Sequence, residues 1–281
     1  MLISSSTNLH CQSGTDVLTD LRSGLEILKI SGFDAADFSM KPLEKLSGPW
    51  DDYVEYLISS SFQLQIPIKL CHLPFSVEIC RNPDVLPIFC EKMYKSIDAA
   101  KMIGVDYAVL HPSTVQENAT VYNRERWRDR TLTHLAPFAE YAVKKGVSIA
   151  LENMPIYNND GSVIRYCASV EDVCEMADAL GFSVCFDFGH ANTIGARMSE
   201  FISYIGRRLT VLHVNDNMGT LDDHLPIGDG SIDWDDAMRG LKSIGFSGTF
   251  NYEINATAVA SDKRVEFAKM LVERAKKLLN K

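Results

Sequence analysis

Acidic and imidazole side chains recur at the ends of short apolar runs along this chain of 281 residues. Their spacing is between 26 and 41 residues, and the series is His72, His111, Glu152, Asp187, His213 and Glu253. Buried Asp, Glu and His side chains are costly unless they are paired or hold a metal ion. If the fold brings these side chains together, the sequence predicts a divalent-cation site.

Further polar candidates lie just beyond these positions, and they are His190, Asp222 and His224. Taken alone, a histidine at a strand end is more often a hydrogen-bonded structural residue, and Glu152 could simply cap a following helix. The joint pattern favours metal binding, because five of the seven histidines of the chain fall within the enlarged set of nine residues.

The elements that must position these side chains are short apolar runs separated by amphipathic stretches with helical spacing. The predicted strands are Leu2 to Ser5, Phe33 to Phe38, Ile68 to His72, Tyr107 to His111, Val147 to Glu152, Ser183 to Asp187, Leu209 to Val214 and Thr249 to Ile254. Eight units of about 35 residues predict a single (β/α)8 TIM barrel spanning residues 1–281, whose strand ends meet at one mouth. A doubly wound open sheet is the rival architecture, but no glycine-rich phosphate-binding turn follows a strand.

Composition narrows the classes of function. The chain is 46% hydrophobic and 23% charged with a net charge of -9, which excludes a disordered or fibrous protein and makes nucleic acid an improbable partner. Its apolar stretches are too short to span a membrane, and the first ten residues do not resemble a signal peptide. Seven cysteines without a CxxC pair are typical of a reduced, cytoplasmic protein, so we expect no disulfides.

A longer pattern supports a resemblance to a known group. Its elements are His72, His111, Glu152-Asn153, Asp187-x-x-His190, His213-Val-x-Asp216, Asp222-x-His224-Leu-Pro-x-Gly228-x-Gly230-x-Ile232-x-Trp234 and Glu253. The pattern resembles the xylose isomerase-like TIM barrel superfamily from about Ile68 onwards. That group includes sugar isomerases and epimerases, hydroxypyruvate isomerase, inosose dehydratase and endonuclease IV.

The resemblance implies two alternative ligand sets. By similarity to the ketose 3-epimerases, one divalent ion would be held by Glu152, Asp187, His213 and Glu253. By similarity to endonuclease IV, three zinc ions would be held by those four residues together with His72, His111, His190, Asp222 and His224. Mixed Glu, Asp and His ligands accept Mn, Zn, Co or Mg, so we expect one ion and allow for up to three.

The first interpretation is an isomerase or epimerase acting on a small sugar, polyol or related hydroxycarbonyl compound. The cation would stabilise an enediolate, while Glu152 and Glu253 exchange protons with the substrate as acid and base. His190 would then hold a substrate hydroxyl, and the five ligands beyond the first four could contact the substrate or bind a second ion. The segment after His213 lacks the arginine of ketose 3-epimerases, which argues against a ketohexose.

The alternative is an endonuclease IV-like zinc phosphodiesterase that acts at abasic DNA sites. The acidic net charge argues against it, and the basic residues between Arg124 and Arg130 alternate with acidic ones, as on a solvated helix face. A third hypothesis is a catalytically idle sugar-binding barrel, although both glutamates are present. Trp50 could stack on a sugar ring or be a packed loop residue. The substrate remains open, and a homo-oligomer is compatible with the sequence.

Overall fold

The computed structural model describes residues 1–7 and 16–280 of the chain. Within these residues, eight strands form a closed barrel. They are β1 (Leu2–Ser6), β2 (Ala35–Ser39), β3 (Ile68–His72), β4 (Tyr107–Leu110), β5 (Ile149–Glu152), β6 (Ser183–Asp187), β7 (Leu209–Val214) and β8 (Thr249–Tyr252).

Helices connect successive strands and cover the outside of the barrel. They are α1 (Val17–Ser31), α2 (Asp51–Leu64), α3 (Leu86–Ile103), α4 (Arg124–Lys145), α5 (Val170–Leu180), α6 (Phe188–Thr193), α7 (Met198–Ile205), α8 (Trp234–Ser243) and α9 (Arg264–Leu279). Short 3-10 turns occupy Leu43–Lys45, Glu78–Cys80, Pro83–Val85, Gly206–Arg208 and Ser261–Lys263. Outside the barrel, Glu117–Asn118 and Val163–Ile164 pair as a small antiparallel ribbon.

Each strand pairs in parallel with its neighbours in chain order, and β1 closes the barrel against β8. The predicted (β/α)8 barrel is therefore confirmed. Two predicted strands extend slightly too far, because β4 ends at Leu110 and β8 at Tyr252, so His111 and Glu253 lie one residue beyond the strands. The backbone N–H of Glu253 still donates to the carbonyl of Val214 at 3.1 Å, which holds this residue against the end of β7.

The strands are apolar on both faces because both faces are buried, as parallel sheets require. Inside the barrel, a layer of packed side chains comprises Leu70, Val109, Ala150, Cys185 and Val211. A larger core lies between the strands and the helices. The barrel centre is thus filled, and polar groups gather above this layer at the carboxyl ends of the strands.

Helix ends follow the chemistry of their flanking residues, as α4 shows. The side chain of Asn123 accepts from the N–H of Arg126 at 2.7 Å at the start of α4, and Gly146 ends it with φ of 68°. The arginines of its first two turns are held at the surface: Arg124 pairs with Asp172 and Glu175, and Arg126 with Glu117. The interpretation of this cluster as a solvated helix face is consistent with those ion pairs.

Six cysteines in the described ranges are free thiols. No disulfide was expected for Cys11 either, and this residue lies outside the described residues. No helix of residues 1–7 and 16–280 combines the length and apolar character needed to cross a membrane.

Candidate metal centre

The carboxyl ends of the strands surround a cavity of about 620 Å³ at one mouth of the barrel. Seven of the nine sequence-predicted residues line it, namely His72, His111, Glu152, His190, Asp222, His224 and Glu253. The other two, Asp187 and His213, are fully buried at the ends of β6 and β7. The barrel therefore brings all nine residues to the same end, from segments separated by up to 181 positions in the sequence.

Glu152, Asp187, His213 and Glu253 form a first group, whose ligand atoms all lie within 4.8 Å of one another. Nδ1 of His213 lies 2.9 Å from Oε2 of Glu253 and 3.1 Å from Oε1 of Glu152. Three carboxylates and one imidazole converge on one point, and three of the four side chains are buried. Such a set of oxygen and nitrogen donors fits a divalent cation.

The second group surrounds the other oxygen of Glu152 and contains two further histidines. Nε2 of His111 lies 3.0 Å from Oε2 of Glu152, and Nε2 of His72 lies 3.4 Å from the same oxygen. Nδ1 of His72 donates to the carbonyl of Leu73 at 2.8 Å, which turns Nε2 toward the carboxylate. Ligand atoms of His72, Glu152 and His213 also lie within 4.8 Å of one another, so Glu152 and His213 belong both to this group and to the first one.

The third group consists of His190, Asp222 and His224. Both imidazole Nε2 atoms lie 3.2 Å from Oδ2 of Asp222. Both Nδ1 atoms donate to backbone carbonyls, that of His190 to Asn153 at 2.6 Å and that of His224 to Glu253 at 2.7 Å. If both rings are neutral, each turns an unprotonated Nε2 toward Oδ2 of Asp222, and all three atoms are then hydrogen-bond acceptors. Such an arrangement requires either protons or a cation between these atoms.

Buried polar atoms without a hydrogen-bond partner test whether these residues fit a bound metal ion. Both carboxylate oxygens of Glu152 and both ring nitrogens of His213 are buried without a hydrogen-bond partner among the described residues. Buried polar atoms are nearly always hydrogen-bonded, and each unpaired one costs about 1–3 kcal/mol. Because two of these atoms, Oε1 of Glu152 and Nδ1 of His213, converge in the first group, the residues fit a bound divalent ion.

Without a metal, protons must stabilise the cluster. Burial disfavours charge on His190, but the carboxylates of Asp187 and Asp222 overcome it and raise its pKa to about 10. Burial also opposes charge on Asp222, yet His190 and His224 hold its pKa well below the usual range. Burial raises the pKa of Asp187 to about 6. The cluster therefore holds charged imidazoles beside carboxylates at neutral pH.

This protonation predicts that metal binding will release protons. At pH 8, His190 of the metal-free protein is protonated, and an ion can bind its Nε2 only after that proton leaves, so we expect release of about one proton or more per ion in the third group. Affinity should fall as the pH is lowered. Calorimetric zinc titrations at pH 8, in two buffers of different ionisation enthalpy, measure the release. Identical apparent enthalpies in both buffers would contradict the prediction.

Amide side chains hold the ligands of the first group in place. Oδ2 of Asp187 accepts from Nδ2 of Asn215 at 2.7 Å, and Oδ1 accepts from the N–H of His190 at 2.7 Å. The side chain of Asn153 bonds both the N–H and the carbonyl of Asp187, at 2.8 and 3.0 Å. Asp187 also caps the short helix α6, which explains the spacing Asp187-x-x-His190.

Asp216 anchors the loop that carries Asp222 and His224. Its two buried oxygens accept from the N–H groups of residues 217, 228 and 232 and from the indole Nε1 of Trp234, at 2.9–3.2 Å. A Cβ at Gly230 would approach Oδ1 of Asp216 to 2.2 Å, so only glycine fits at that position. The motif from His213 to Trp234 is therefore the sequence of a loop folded around one carboxylate.

Replacing Asp216 by alanine should strongly destabilise this loop. Four donors would lose a buried acceptor, and we expect a loss of about 3 kcal/mol or more in the free energy of unfolding, together with weaker metal binding at His190 and His224. Urea unfolding and metal analysis measure both. Asp229→Ala is the matched control, since Asp229 lies on the same loop and its surface ion pair with Arg274 of α9 is worth at most about 1 kcal/mol. Equal stability of the two variants would refute the role of Asp216.

The sequence did not identify Asp37, which is buried beneath the cluster. Its Oδ2 accepts from Nδ2 of Asn251 at 2.9 Å and lies 3.9 Å from Nε2 of His213. The signal was present, because an acidic residue within the apolar run Ala-Ala-Asp-Phe-Ser of β2 requires a partner. Asp37 thus faces the ring nitrogen of His213 that points away from Glu152.

The suggestion that Trp50 stacks on a sugar ring is wrong. Its side chain is buried in the core between strands and helices, directly before α2, and it does not line the cavity. The indole ring has a large apolar surface, and in this protein that surface is buried in the core.

Comparison with known proteins agrees with this architecture. The family described as xylose isomerase-like TIM barrel matches residues 25–278. A curated relative, the uncharacterized protein MJ1311 of Methanocaldococcus jannaschii, is 30% identical over 237 residues, which are 83% of this chain and 78% of the relative. An inosose isomerase of Bacillus velezensis is 24% identical over 252 residues, covering 84% of each chain.

Solved structures share the fold. A D-tagatose 3-epimerase-like protein superposes with a TM-score of 0.74 at 23% identity, covering 99% of this chain and 100% of the other. D-allulose 3-epimerase from Methylomonas sp., in complex with D-allulose, gives 0.74 at 16% identity, with 99% and 96% covered. Given the closed eight-stranded barrel and a match over residues 25–278, this chain belongs to the xylose isomerase-like TIM barrel family.

Proposed function

We propose that this protein is a divalent-metal-dependent isomerase or epimerase of a small sugar, polyol derivative or related hydroxycarbonyl compound. One observation carries the proposal: Glu152 and Glu253 converge with Asp187 and His213 within 4.8 Å, beside a cavity of about 620 Å³. A cavity of this size accommodates a small molecule. Glu152, Asp187, His213 and Glu253 are the proposed metal ligands, and Glu152 and Glu253 are also the proposed acid and base.

The two glutamates differ in a way that suits two roles. Glu152 is fully buried at the end of β5, whereas 27% of the Glu253 side chain is exposed, and both carboxylates approach Nδ1 of His213. Burial opposes charge on Glu253, but His213 holds its pKa below the ordinary range, so the carboxylate is ionised and able to accept a proton. One glutamate would remove the proton beside the carbonyl, and the other would return a proton.

A divalent ion held by this group would supply the positive charge that stabilises negative charge developing on the substrate oxygens. His72, His111, His190, Asp222 and His224 are proposed to hold a second ion or to contact the substrate. His190 reaches the cavity with Nε2, while its Nδ1 is fixed on a backbone carbonyl. Its ring is therefore oriented before any substrate binds.

The relatives support the class of reaction and leave the substrate open. Proteins similar to this chain include inosose isomerases and sugar 3-epimerases. The segment after His213 lacks an arginine. Its side chains instead hold neighbouring residues in place, since Nδ2 of Asn215 donates to Asp187 and Nδ2 of Asn217 donates to the carbonyl of Gly189. This favours a substrate other than a ketohexose bound as in the 3-epimerases.

The experiment that tests the proposal is solvent isotope exchange. The protein, loaded with Mn, Co, Zn or Mg in turn, is incubated with a panel of ketoses, aldoses and ketocyclitols in heavy water, and NMR follows deuterium incorporation. We expect label at a carbon beside a carbonyl for at least one compound. Absence of exchange with every compound and metal would overturn the proposal.

A second candidate is a zinc phosphodiesterase resembling endonuclease IV, because eight of the nine residues fall into three ligand groups and the ninth, His111, lies 3.0 Å from Glu152. Two or three ions placed in this way could clamp the oxygens of a phosphodiester. An oligonucleotide with one abasic site, incubated in parallel with the sugar panel, separates the two functions. A nicked strand without exchange into sugars would select the nuclease. The net charge of -9 is the reason that we rank it second.

We further propose that the chain acts as one domain in the cytosol. Ser6 and Glu253, from the first and last strands, line the same cavity, so the site needs both ends of the chain. Buried free thiols such as Cys71 and Cys185 are typical of proteins from reducing compartments.

A further inference from the structure

Arg165 lies in a segment that the sequence analysis did not single out. It directly follows the ribbon formed by Glu117–Asn118 and Val163–Ile164, and its side chain lines the central cavity. The backbone N–H of Met154 donates to the carbonyl of Cys167 at 2.8 Å, which ties this segment to the end of β5. The backbone of the segment that carries Arg165 is therefore held at the mouth by two attachments, the ribbon and the loop after β5.

The guanidinium of Arg165 has no protein partner. Within residues 1–7 and 16–280, no ion pair or hydrogen bond involves it, and its Nε is buried without a partner. Several arginines elsewhere in the described chain differ, since Arg124, Arg208 and Arg274 each pair with a carboxylate. Five N–H donors in a planar fork remain available, and this fork matches the oxygens of a carboxylate or a phosphate.

Desolvation makes this arrangement costly for the free protein. Burial lowers the pKa of Arg165, although Tyr157 and Asp222 lie close enough to favour its charged form. Arginine nevertheless stays protonated near neutral pH. Arg165 is half-buried, and a partly desolvated cation without a counter-ion is stabilised when an anion binds beside it.

We propose that Arg165 binds an anionic group, a phosphate or a carboxylate, on the small hydroxycarbonyl substrate of the metal centre. This inference rests on the proposed function. The substrate would lie across the cavity, with its carbonyl end at Glu152 and Glu253 and its charged end at Arg165, next to Tyr157. Arg165 would then select charged substrates over neutral sugars of the same carbon skeleton.

Direct binding tests the inference without requiring turnover. The zinc-loaded protein is titrated with D-fructose, D-fructose 6-phosphate and D-fructuronate, which share a ketose skeleton and differ in the terminal group. We expect Arg165→Met to weaken binding of one of the charged ligands by about 10- to 100-fold, since a hydrogen bond to a charged group contributes about 1.5–3 kcal/mol. Binding of D-fructose should change by less than about twofold. The ligand that shows the larger loss distinguishes phosphate from carboxylate.

Two further variants complete the design. Arg165→Lys keeps the charge without the fork and should recover part of the lost affinity. Arg208→Met is the matched control, because Arg208 pairs with Asp178 on the surface and does not line the cavity. Metal content is measured for every variant.

Three outcomes would overturn the inference. The first is that neither charged ligand binds more tightly than D-fructose. The second is equal affinity of Arg165→Met and the unmodified protein for all three ligands. The third is loss of zinc together with equal loss of all three ligands, which would show that Arg165 only supports Asp222. Exchange into a neutral sugar, unaffected by Arg165→Met, would reject the inference while leaving the proposed function intact, whereas failure of exchange with every compound would reject the function itself.

Discussion

Replacing Glu152 by glutamine will remove bound metal and lower turnover by about 10³-fold or more. Glu152 and His213 are both shared by two ligand groups, and Glu152 is the carboxylate common to them. One of its oxygens lies 3.0 Å from His111 and 3.4 Å from His72, and the other lies 3.1 Å from His213. An amide of the same shape carries no charge and directs two N–H donors into a site that must bind a cation. Loss of a general acid or base alone accounts for about 10²- to 10⁴-fold.

Metal analysis by mass spectrometry and deuterium exchange by NMR measure the two effects. Glu175→Gln is the matched control, because this glutamate pairs with Arg124 and Arg128 at the surface, away from the cavity. We expect that variant to keep its metal and its turnover. A Glu152→Gln protein with full metal content would show that this carboxylate is not a ligand, and full turnover would exclude it as acid or base.

Replacing Glu253 by glutamine should lower turnover by about 10²- to 10⁴-fold while the fold survives. Glu253 belongs to only one of the ligand groups, and its side chain is partly exposed at the cavity, so most of the barrel is unaffected by the change. His213 keeps the pKa of this carboxylate low despite burial, so the native side chain is a charged base at neutral pH and the amide is not. Metal should be retained better than in Glu152→Gln.

Circular dichroism, metal content and deuterium exchange together separate catalysis from folding in this variant. Glu266→Gln, on the exposed side of α9, is the control and should behave as the unmodified protein. Unchanged exchange in Glu253→Gln would exclude a mechanism with two bases. Unfolding of Glu253→Gln would show a structural role of the carboxylate, which lies 2.9 Å from Nδ1 of the buried His213.

The nine ligand candidates could be predicted from the sequence because a parallel barrel has a simple geometry. All strands of the barrel end at the same mouth, so polar residues at the ends of successive strands, one β/α unit apart in the sequence, become neighbours in space. His72, Asp187 and His213 follow this rule directly, as each lies at or next to the end of a barrel strand. Their chemical types then indicate a cation, and the structure supports the same grouping.

The role of the motif after His213 needed the folded loop. In the sequence, Asp216, Gly228 and Gly230 are spaced residues of a family pattern. In the structure, four donors converge on the carboxylate of Asp216, and the approach of residue 230 to that carboxylate excludes any side chain there. Such contacts join residues up to 18 positions apart in irregular backbone, which no periodicity describes.

Sequence by itself thus determined the barrel, its mouth and the set of residues gathered there, because apolar runs and strand ends are local features repeated at regular intervals. Only the tertiary structure decided how the candidate ligands divide into groups, that Glu152 and His213 are shared, that Trp50 belongs to the core, and that Arg165 enters the cavity without a partner. Those properties depend on distances and burial between side chains from different units. These distances and this burial are set when the barrel closes, because closure brings the side chains together and determines which of them are shielded from water.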